Sequence, residues 1–424
     1  MQHVTPRMHV GRHQFAAGAL RAVAFALTLL AIAGTGSAGP TLASGQVRGV
    51  EHGAQYALFM PAIWNGRLAL YAHGFIDPET PIALPDIAPE DVAPWVVELR
   101  ETLLGLGYGV AYSSYSENGW AVGDGARRTH ELRGLFATYF AKPDRTYLVG
   151  RSLGSLITLK LVERHPGAYA GALALCGPVG GGLLETNYIA NVRVLFDFFF
   201  PGVIPGDFLH VPPMDYSSDS RQVQAIVGAI LANPAAAVAL ASVDQVEIPW
   251  TGDFADGTLI NSIVRALGYN VRGVNDLLDR IGGLSPFDNT QTWYTGLEDF
   301  DAVLNAGVGR FAGDQAAFDY LRHFYQPTGK LVRPVLTLHT TLDPDVPFVH
   351  EEALANIVAA ARRSKWLAQQ HYDRYGHCNF SPAEAASAFS RLVDWAESGA
   401  KPGSAVSGSQ HAGHWDEHAG HWDE

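Results

Sequence analysis

Gly150-Arg151-Ser152-Leu153-Gly154 reads Gly-x-Ser-x-Gly. A serine hydroxyl is a poor nucleophile near neutral pH. To react it needs a turn that exposes it, a base that takes its proton and donors that receive the developing negative charge. Five residues can match by chance, so the flanking segments decide. Before the pattern, Thr146-Tyr147-Leu148-Val149 is an apolar run of strand length; after it, 155–164 (SLITLKLVER) has apolar side chains at helical spacing. On such a strand-to-helix turn the serine is held strained with its hydroxyl outward. The flanking glycines avoid the clash that a Cβ would make with the neighbouring strand or helix. The start of the helix would also aim backbone N–H groups at an oxyanion. The competing reading is a Gly/Ser-rich connection with no chemistry.

The elements around this turn repeat one pattern. Strand-like apolar runs fall at 67–72, 109–112, 146–149 and 171–175, with helical spacing at 94–106 and 126–140 between them. Alternation of this kind implies parallel βαβ units and a sheet covered on both faces. A second stretch, 183–326, is rich in Phe, Ala, Gly and Asn. Its apolar runs favour helix at 222–231, 235–241 and 259–267, and 196–201 (FDFFFP) is unusually aromatic. It reads as a mostly helical cap inserted into the core, or as ordinary packing against that core. Residues 327–398 return to the first pattern, with strands at 334–339 and 366–372 and helices at 351–361 and 382–397. After Ser398 the core-forming pattern stops and HAGHWDE occurs twice, from His411 and from His418. Residues 399–424 therefore read as a disordered end or an added tag.

On the Ser152 motif and its context, 46–182 together with 330–397 resembles the α/β-hydrolase fold, whose catalytic residues follow in the order Ser, Asp or Glu, His. The resemblance implies a carboxylate after a late strand, and Asp343-Pro344-Asp345-Val346-Pro347 supplies Asp343. Asp345 is the runner-up; either could instead be a turn-forming residue that caps the helix beginning near Val349. It implies a histidine in the loop after the last strand, and Tyr375-Gly376-His377-Cys378 supplies His377. It also implies an oxyanion hole from the backbone N–H groups of Phe75, in His73-Gly74-Phe75, and of Leu153, each worth roughly 3–4 kcal/mol in the transition state. His73 itself reads as a structural loop histidine. No cofactor is implied. No metal-ligand cluster stands outside the tail, and no dinucleotide or phosphate loop is present.

The two cysteines are Cys176 and Cys378. In the sheet that the resemblance implies, their loops share one edge, so a Cys176–Cys378 disulfide would pin the histidine loop; two buried free thiols are the alternative. The His-Cys pair is similar to tannases and feruloyl esterases, in which a disulfide joins the neighbours of Ser and His. Here Arg151, not Cys, precedes the serine. The run Tyr115-Ser116-Glu117-Asn118-Gly119-Trp120 also resembles a group of exported hydrolases.

The start of the chain reads as an export signal over 1–38. Arg7, Arg12 and Arg21 precede the apolar run 22–33, and small residues follow at Gly36-Ser37-Ala38 or Thr41-Leu42-Ala43. The run is short for a bilayer span, although an uncleaved anchor is the alternative. Export would make a disulfide natural. Hydrophobic residues are 47% and charged residues 17%, which excludes a disordered chain. A formal net charge of −13, without a Lys/Arg-rich run, argues against a nucleic-acid partner.

The resemblance implies hydrolysis but no particular substrate. The aromatic cap, with Phe198, Phe199, Phe200 and Phe208, favours carboxylic esters with apolar or aromatic acyl groups, small or polymeric. A secreted exopeptidase of the same fold would need an acidic pocket, for which Glu185, Asp197 or Asp299 are candidates. A non-catalytic binding protein on this scaffold is the third reading.

Overall fold

The sequence Arg67-Leu68-Ala69-Leu70-Tyr71-Ala72 shows why a sheet lies in the interior. Leu68, Leu70 and Ala72 enter one apolar layer, while Ala69 and Tyr71 enter the other. This period of two, apolar on both faces, is that of a strand covered from both sides. The computed structural model describes residues 45–403. The export segment and the HAGHWDE repeat lie outside the described residues.

Eight strands form one sheet: β1 (Gly45–Glu51), β2 (Ala54–Met60), β3 (Arg67–Ala72), β4 (Gly109–Ser113), β5 (Arg145–Arg151), β6 (Gly171–Leu175), β7 (Val335–Leu342) and β8 (Leu367–Tyr375). Their order is β1-β2-β4-β3-β5-β6-β7-β8. The pairs β1/β2 and β2/β4 are antiparallel and every other pair is parallel. Helices α1 (Ala93–Gly105) and α11 (Pro382–Ser398) cover one face, and α2 (Val122–Tyr139) and α3 (Leu153–Arg164) cover the other. Helix α10 (Val349–Ala360) joins the α2/α3 layer through Leu354 and Val358. This is the α/β-hydrolase fold, with the serine turn between β5 and α3.

Between β6 and β7 stand six helices: α4 (Gly182–Phe199), α5 (Arg221–Ala232), α6 (Pro234–Ala241), α7 (Thr258–Arg280), α8 (Asp301–Gly307) and α9 (Gln315–Tyr325). Asn233 and Pro234 separate α5 from α6: the Asn233 side chain caps the new helix and the proline takes its first turn. Helix α7 runs well beyond the 259–267 anticipated from sequence. Gly268 and Gly273 interrupt the apolar run, but Ile263, Leu267, Val271, Val274 and Leu277 keep the helical period. The apolar faces of α4 and α7 share one continuous core with α2 and α3.

Two further differences have physical causes. The edge strand β1 carries mostly exposed side chains, so it gave no apolar signal. Residues just past Ser398, read from sequence as the start of a tail, touch the fold: Gln370 donates to the Gly403 carbonyl at 2.8 Å, and Lys401 to that of Ser364 at 3.0 Å. Among the described residues no single helix is long and apolar enough to cross a membrane.

Helix α11 closes the molecule through Phe389, which is fully buried between Tyr108 and Tyr147 at ring-centroid distances of 5.1 and 5.7 Å. We expect Phe389→Ala to destabilise the fold by about 3–5 kcal/mol, the cost of a large core deletion. A lower urea midpoint at unchanged slope would show it; a midpoint within error of the parent would contradict this packing.

Candidate active site

Ser152 has φ 54° and ψ −129°. A non-glycine residue in this region is strained and persists only where its surroundings enforce it. Ser152 N–H donates to the Leu175 carbonyl at 2.8 Å, and Ser155 Oγ donates to the same carbonyl at 2.8 Å. The two glycines of the motif act sterically. A Cβ on Gly150 would strike the carbonyl of Gly154, and one on Gly154 would strike that of Ala72. Gly74 lies directly over Ser152: a Cβ there would sit 2.9 Å from Ser152 Cβ and 3.4 Å from its Oγ. The backbone N–H groups of Phe75 and Leu153 have no acceptor among the described residues. For Leu153 this follows from its place in the first turn of α3.

Asp343 follows β7 and has no exposed surface. His377 Nδ1 lies 2.8 and 3.0 Å from its two carboxylate oxygens. A carboxylate only accepts, so Nδ1 carries the proton and the neutral ring leaves Nε2 as its basic atom. The backbone N–H groups of Asp345 and Val346 also donate to Asp343, at 2.9 and 3.0 Å. Among the described residues no hydrogen bond joins Ser152 Oγ to His377; Nε2 stands 3.4 Å from Cys378 Sγ and 4.0 Å from Asp345 Oδ2. In unliganded serine enzymes that bond often tightens only with substrate. Asp345, the runner-up acid, is occupied elsewhere. Arg265 of α7 grips it with two nitrogens and Tyr269 Oη donates to it at 2.9 Å.

A second histidine backs the acid. His339 Nδ1 faces Glu351 Oε1 at 3.2 Å, and Nε2 faces the Val346 carbonyl at 3.0 Å and Asp343 at 3.4 Å. Thr337 and Gln369 donate to the other Glu351 oxygen. Both nitrogens of His339 thus meet acceptors, and the ring is an imidazolium. Burial opposes that charge, but Asp343 and Glu351 outweigh it and raise the pKa to about 10. Burial also penalises the Asp343 carboxylate; the hydrogen bonds from His339 and His377 and the charge of His339 nevertheless hold its pKa well below the usual range. Neighbouring His350 accepts from Gly180 N–H at Nδ1, which leaves Nε2 to donate to Glu185 at 2.9 Å. Burial lowers its pKa to about 3 and, with the negative charges of Asp343 and Asp345, pushes that of Glu185 well up.

The Tyr115–Trp120 run braces the loop over the serine. The Tyr115 ring stacks on His73 at 3.7 Å and its Oη donates to the His73 carbonyl at 3.0 Å. Asn118 donates to the Thr80 carbonyl at 2.7 Å, and Gly119 N–H to that of Ile76 at 2.9 Å. Trp120 N–H donates to Asp276 of α7 at 2.7 Å. Phe75 packs edge-on against Trp120 and Tyr269, at 6.0 and 5.7 Å. Of the aromatic residues that mark the cap in sequence, Phe198, Phe199, Phe200 and Phe208, two are interior. Phe200 stacks on Phe196, and Phe208 is buried against Phe287 and Phe311, so those two belong to the interior of the insertion. Phe198 and Phe199 are partly exposed and pack on each other. Nor do the three acids form one pocket. Glu185 is held by His350, Asp197 is paired with Arg193 at 2.9 Å roughly three turns further along α4, and Asp299 is exposed in a short 3-10 turn. Arg265, Tyr269 and His339 escaped sequence reading because a buried histidine in a strand, or an Arg/Tyr pair one helical turn apart, has no distinctive spacing.

Cys176 and Cys378 stand at disulfide distance, with Cα atoms 5.2 Å apart and 202 residues between them in sequence. Both have positive φ, 47° and 52°. With His377 they form a donor cluster within 4.8 Å, but sulfurs bonded to each other leave no thiolate for a metal.

No protein-family model and no curated protein matches the chain. Among solved structures it resembles Candida antarctica lipase A at 15% identity, over 83% of this chain and 76% of that one, with a TM-score of 0.43. It resembles the proline iminopeptidase of Mycobacterium smegmatis at 12% identity, over 84% and 100%, with a TM-score of 0.41. Est1E from Butyrivibrio proteoclasticus matches at 11% identity, over 83% and 98%, with a TM-score of 0.37.

Two predictions follow from this site. Without reductant, the denatured protein should show no free thiol, and two after reduction. The chain-entropy model gives such a bond about 5 kcal/mol of stability, so reductant should lower the urea midpoint; two thiols that titrate without reductant would rule the bond out. Stability should also peak near neutral pH. Burial lowers the pKa of His73 to about 4 and that of His350 to about 3, so only the unfolded chain gains these protons as pH falls below 6.5, and stability is lost. His339 acts oppositely: its contribution is full below 6.5 and disappears as pH rises through about 10. Urea midpoints from pH 5 to 9 should trace the dome, and His339→Gln should flatten its alkaline side.

Proposed function

We propose that the chain is an exported serine hydrolase that cleaves carboxylic esters with apolar or aromatic acyl groups. The observation that carries this reading is the His377–Asp343 pair, with both carboxylate oxygens within 3.0 Å of Nδ1, at the same strand-end edge as a serine in a strained strand-to-helix turn. In the proposed reaction Ser152 Oγ attacks the ester carbonyl while His377 Nε2 takes its proton. The N–H groups of Phe75 and Leu153 receive the oxyanion. Collapse expels the alcohol, protonated by His377, and leaves an acyl-serine that water hydrolyses by the same steps. Asp343 holds the ring tautomer and stabilises the imidazolium. The edge-packed rings of Phe75, Trp120 and Tyr269 support an apolar or aromatic acyl group beside the oxyanion donors. The paired state of Glu185 and Asp197 speaks against the exopeptidase reading.

A fluorophosphonate probe should label Ser152, as mapped by peptide mass analysis. p-Nitrophenyl esters should be hydrolysed and aminoacyl-anilides should not; the reverse preference would select the exopeptidase. Ser152→Ala should lower kcat by about 10⁶-fold and Asp343→Asn by about 10⁴-fold. Asp345→Asn should stay within about tenfold of the parent, because Asp345 touches the base at no closer than 4.0 Å. Unchanged turnover in Ser152→Ala would overturn the assignment.

A further inference from the structure

The opposite edge of the sheet carries a second feature. The starts of β5, β6, β7 and β8, with the end of α11, enclose a cavity of about 650 Å³. That volume is typical of small-molecule sites. One seven-residue strand, roughly 20 Å, separates it from Ser152.

Its charge is opposite to that of the chain. Five cations line it (Arg133, Arg145, Arg333, Lys365 and Lys401) against one acid, Asp144, in a protein with formal charge −13. Two ordinary explanations for such a cluster fail. Among the described residues none of the five lies within 4.0 Å of a carboxylate, so they are not the cationic halves of salt bridges. None lies in the last turn of an α-helix, where a cation would answer the helix dipole. Arg333 Nε and Lys401 Nζ instead donate to the Pro166 and Ser364 carbonyls, which fixes their heads but leaves their charge uncompensated.

Two buried polar atoms among the lining residues lack partners. Arg133 Nε and Thr146 Oγ1 are shielded from solvent and make no hydrogen bond. The same wall holds aromatic surface. Trp366 and Trp395 line it, with Lys365 Nζ 5.2 Å from the first ring and Lys401 Nζ 5.9 Å from the second. Five cations and two indole side chains lining one cavity together suit a negatively charged group attached to a flat ring.

We propose that this cavity binds a small aromatic anion, a carboxylate or sulfonate carried on a ring, at a site separate from Ser152. The proposal does not rest on the ester-hydrolase reading, because none of its residues belongs to the catalytic edge.

Calorimetric titration of the full chain with 2-naphthoate, and with neutral 2-naphthamide as control, tests it. Naphthoate should bind, naphthamide at least about tenfold more weakly, and added salt should weaken naphthoate. The double substitution Arg145→Gln/Arg333→Gln should weaken naphthoate by about tenfold or more, while p-nitrophenyl ester turnover and the urea midpoint stay at parent values. A second pair, Arg133→Gln/Lys365→Gln, should do the same if the first disturbs the fold. Equal binding of naphthamide, failure of naphthoate to bind at millimolar concentration, or undiminished binding in both double variants would overturn the proposal.

Discussion

A carboxylate without exposed surface survives only if donors surround it, and Asp343 sets that demand for one whole edge of this protein. Two backbone N–H groups of its own turn meet part of it. His377 meets another part and is thereby fixed in tautomer and orientation. His339 supplies the positive charge from behind, and Glu351, Thr337 and Gln369 hold His339 in that role. The imidazolium at the rear has a chemical consequence. It lowers the basicity of Asp343, so the acid can steady a proton on His377 without taking it. The next carboxylate along, Asp345, is neutralised from the other side by Arg265. Two acids one residue apart are thus kept electrically distinct by cations from different layers of the fold.

That division explains what could be read from the sequence. The parallel sheet, its covering helices and the serine turn were legible because each has a local signature: apolar runs of period two or 3.6, and a pair of glycines forced by close backbone approach at Gly150 and Gly154. Asp343 and His377 were legible only through order along the chain and a family likeness. Their partners were not. A histidine inside a strand, such as His339, looks like any core residue until three dimensions place acceptors at both of its nitrogens. Strand β1 was missed because an exposed edge carries no apolar pattern. The interior positions of Phe200 and Phe208 were not legible, because sequence shows that aromatic residues cluster, not which side of a helix they face.

The Tyr115–Trp120 run shows how an unexplained motif becomes physical. Tyr115, Asn118 and Gly119 act on the backbone of the loop that carries Gly74 and Phe75, Ser116 N–H is held by Asp124 of α2, and Glu117 and Trp120 tie the run to α7. The loop from His73 onward has little secondary structure of its own, so its geometry must be imposed from outside. A stacked ring, a side-chain amide and a glycine amide do so. Helix α7 therefore acts at three places: on the Tyr115–Trp120 run through Asp276, on the Asp343–Asp345 turn through Arg265, and on the end of β8 through Ser262 and Tyr375.

Ser152 is only 8% exposed, and the helices above it share their apolar interior with α2 and α3. Swinging them aside like a hinged door would bring that interior into contact with water at about 25 cal/mol per Å², several kcal/mol for a few hundred Å². Breathing of the connecting segments and rotation of a few rings cost far less. Access to the hydroxyl is therefore governed by small movements of side chains such as Phe75, Trp120 and Tyr269 and not by displacement of whole helices. In the proposed reaction an acyl group would be admitted by the turning of those rings, with the apolar interior beneath the helices kept dry.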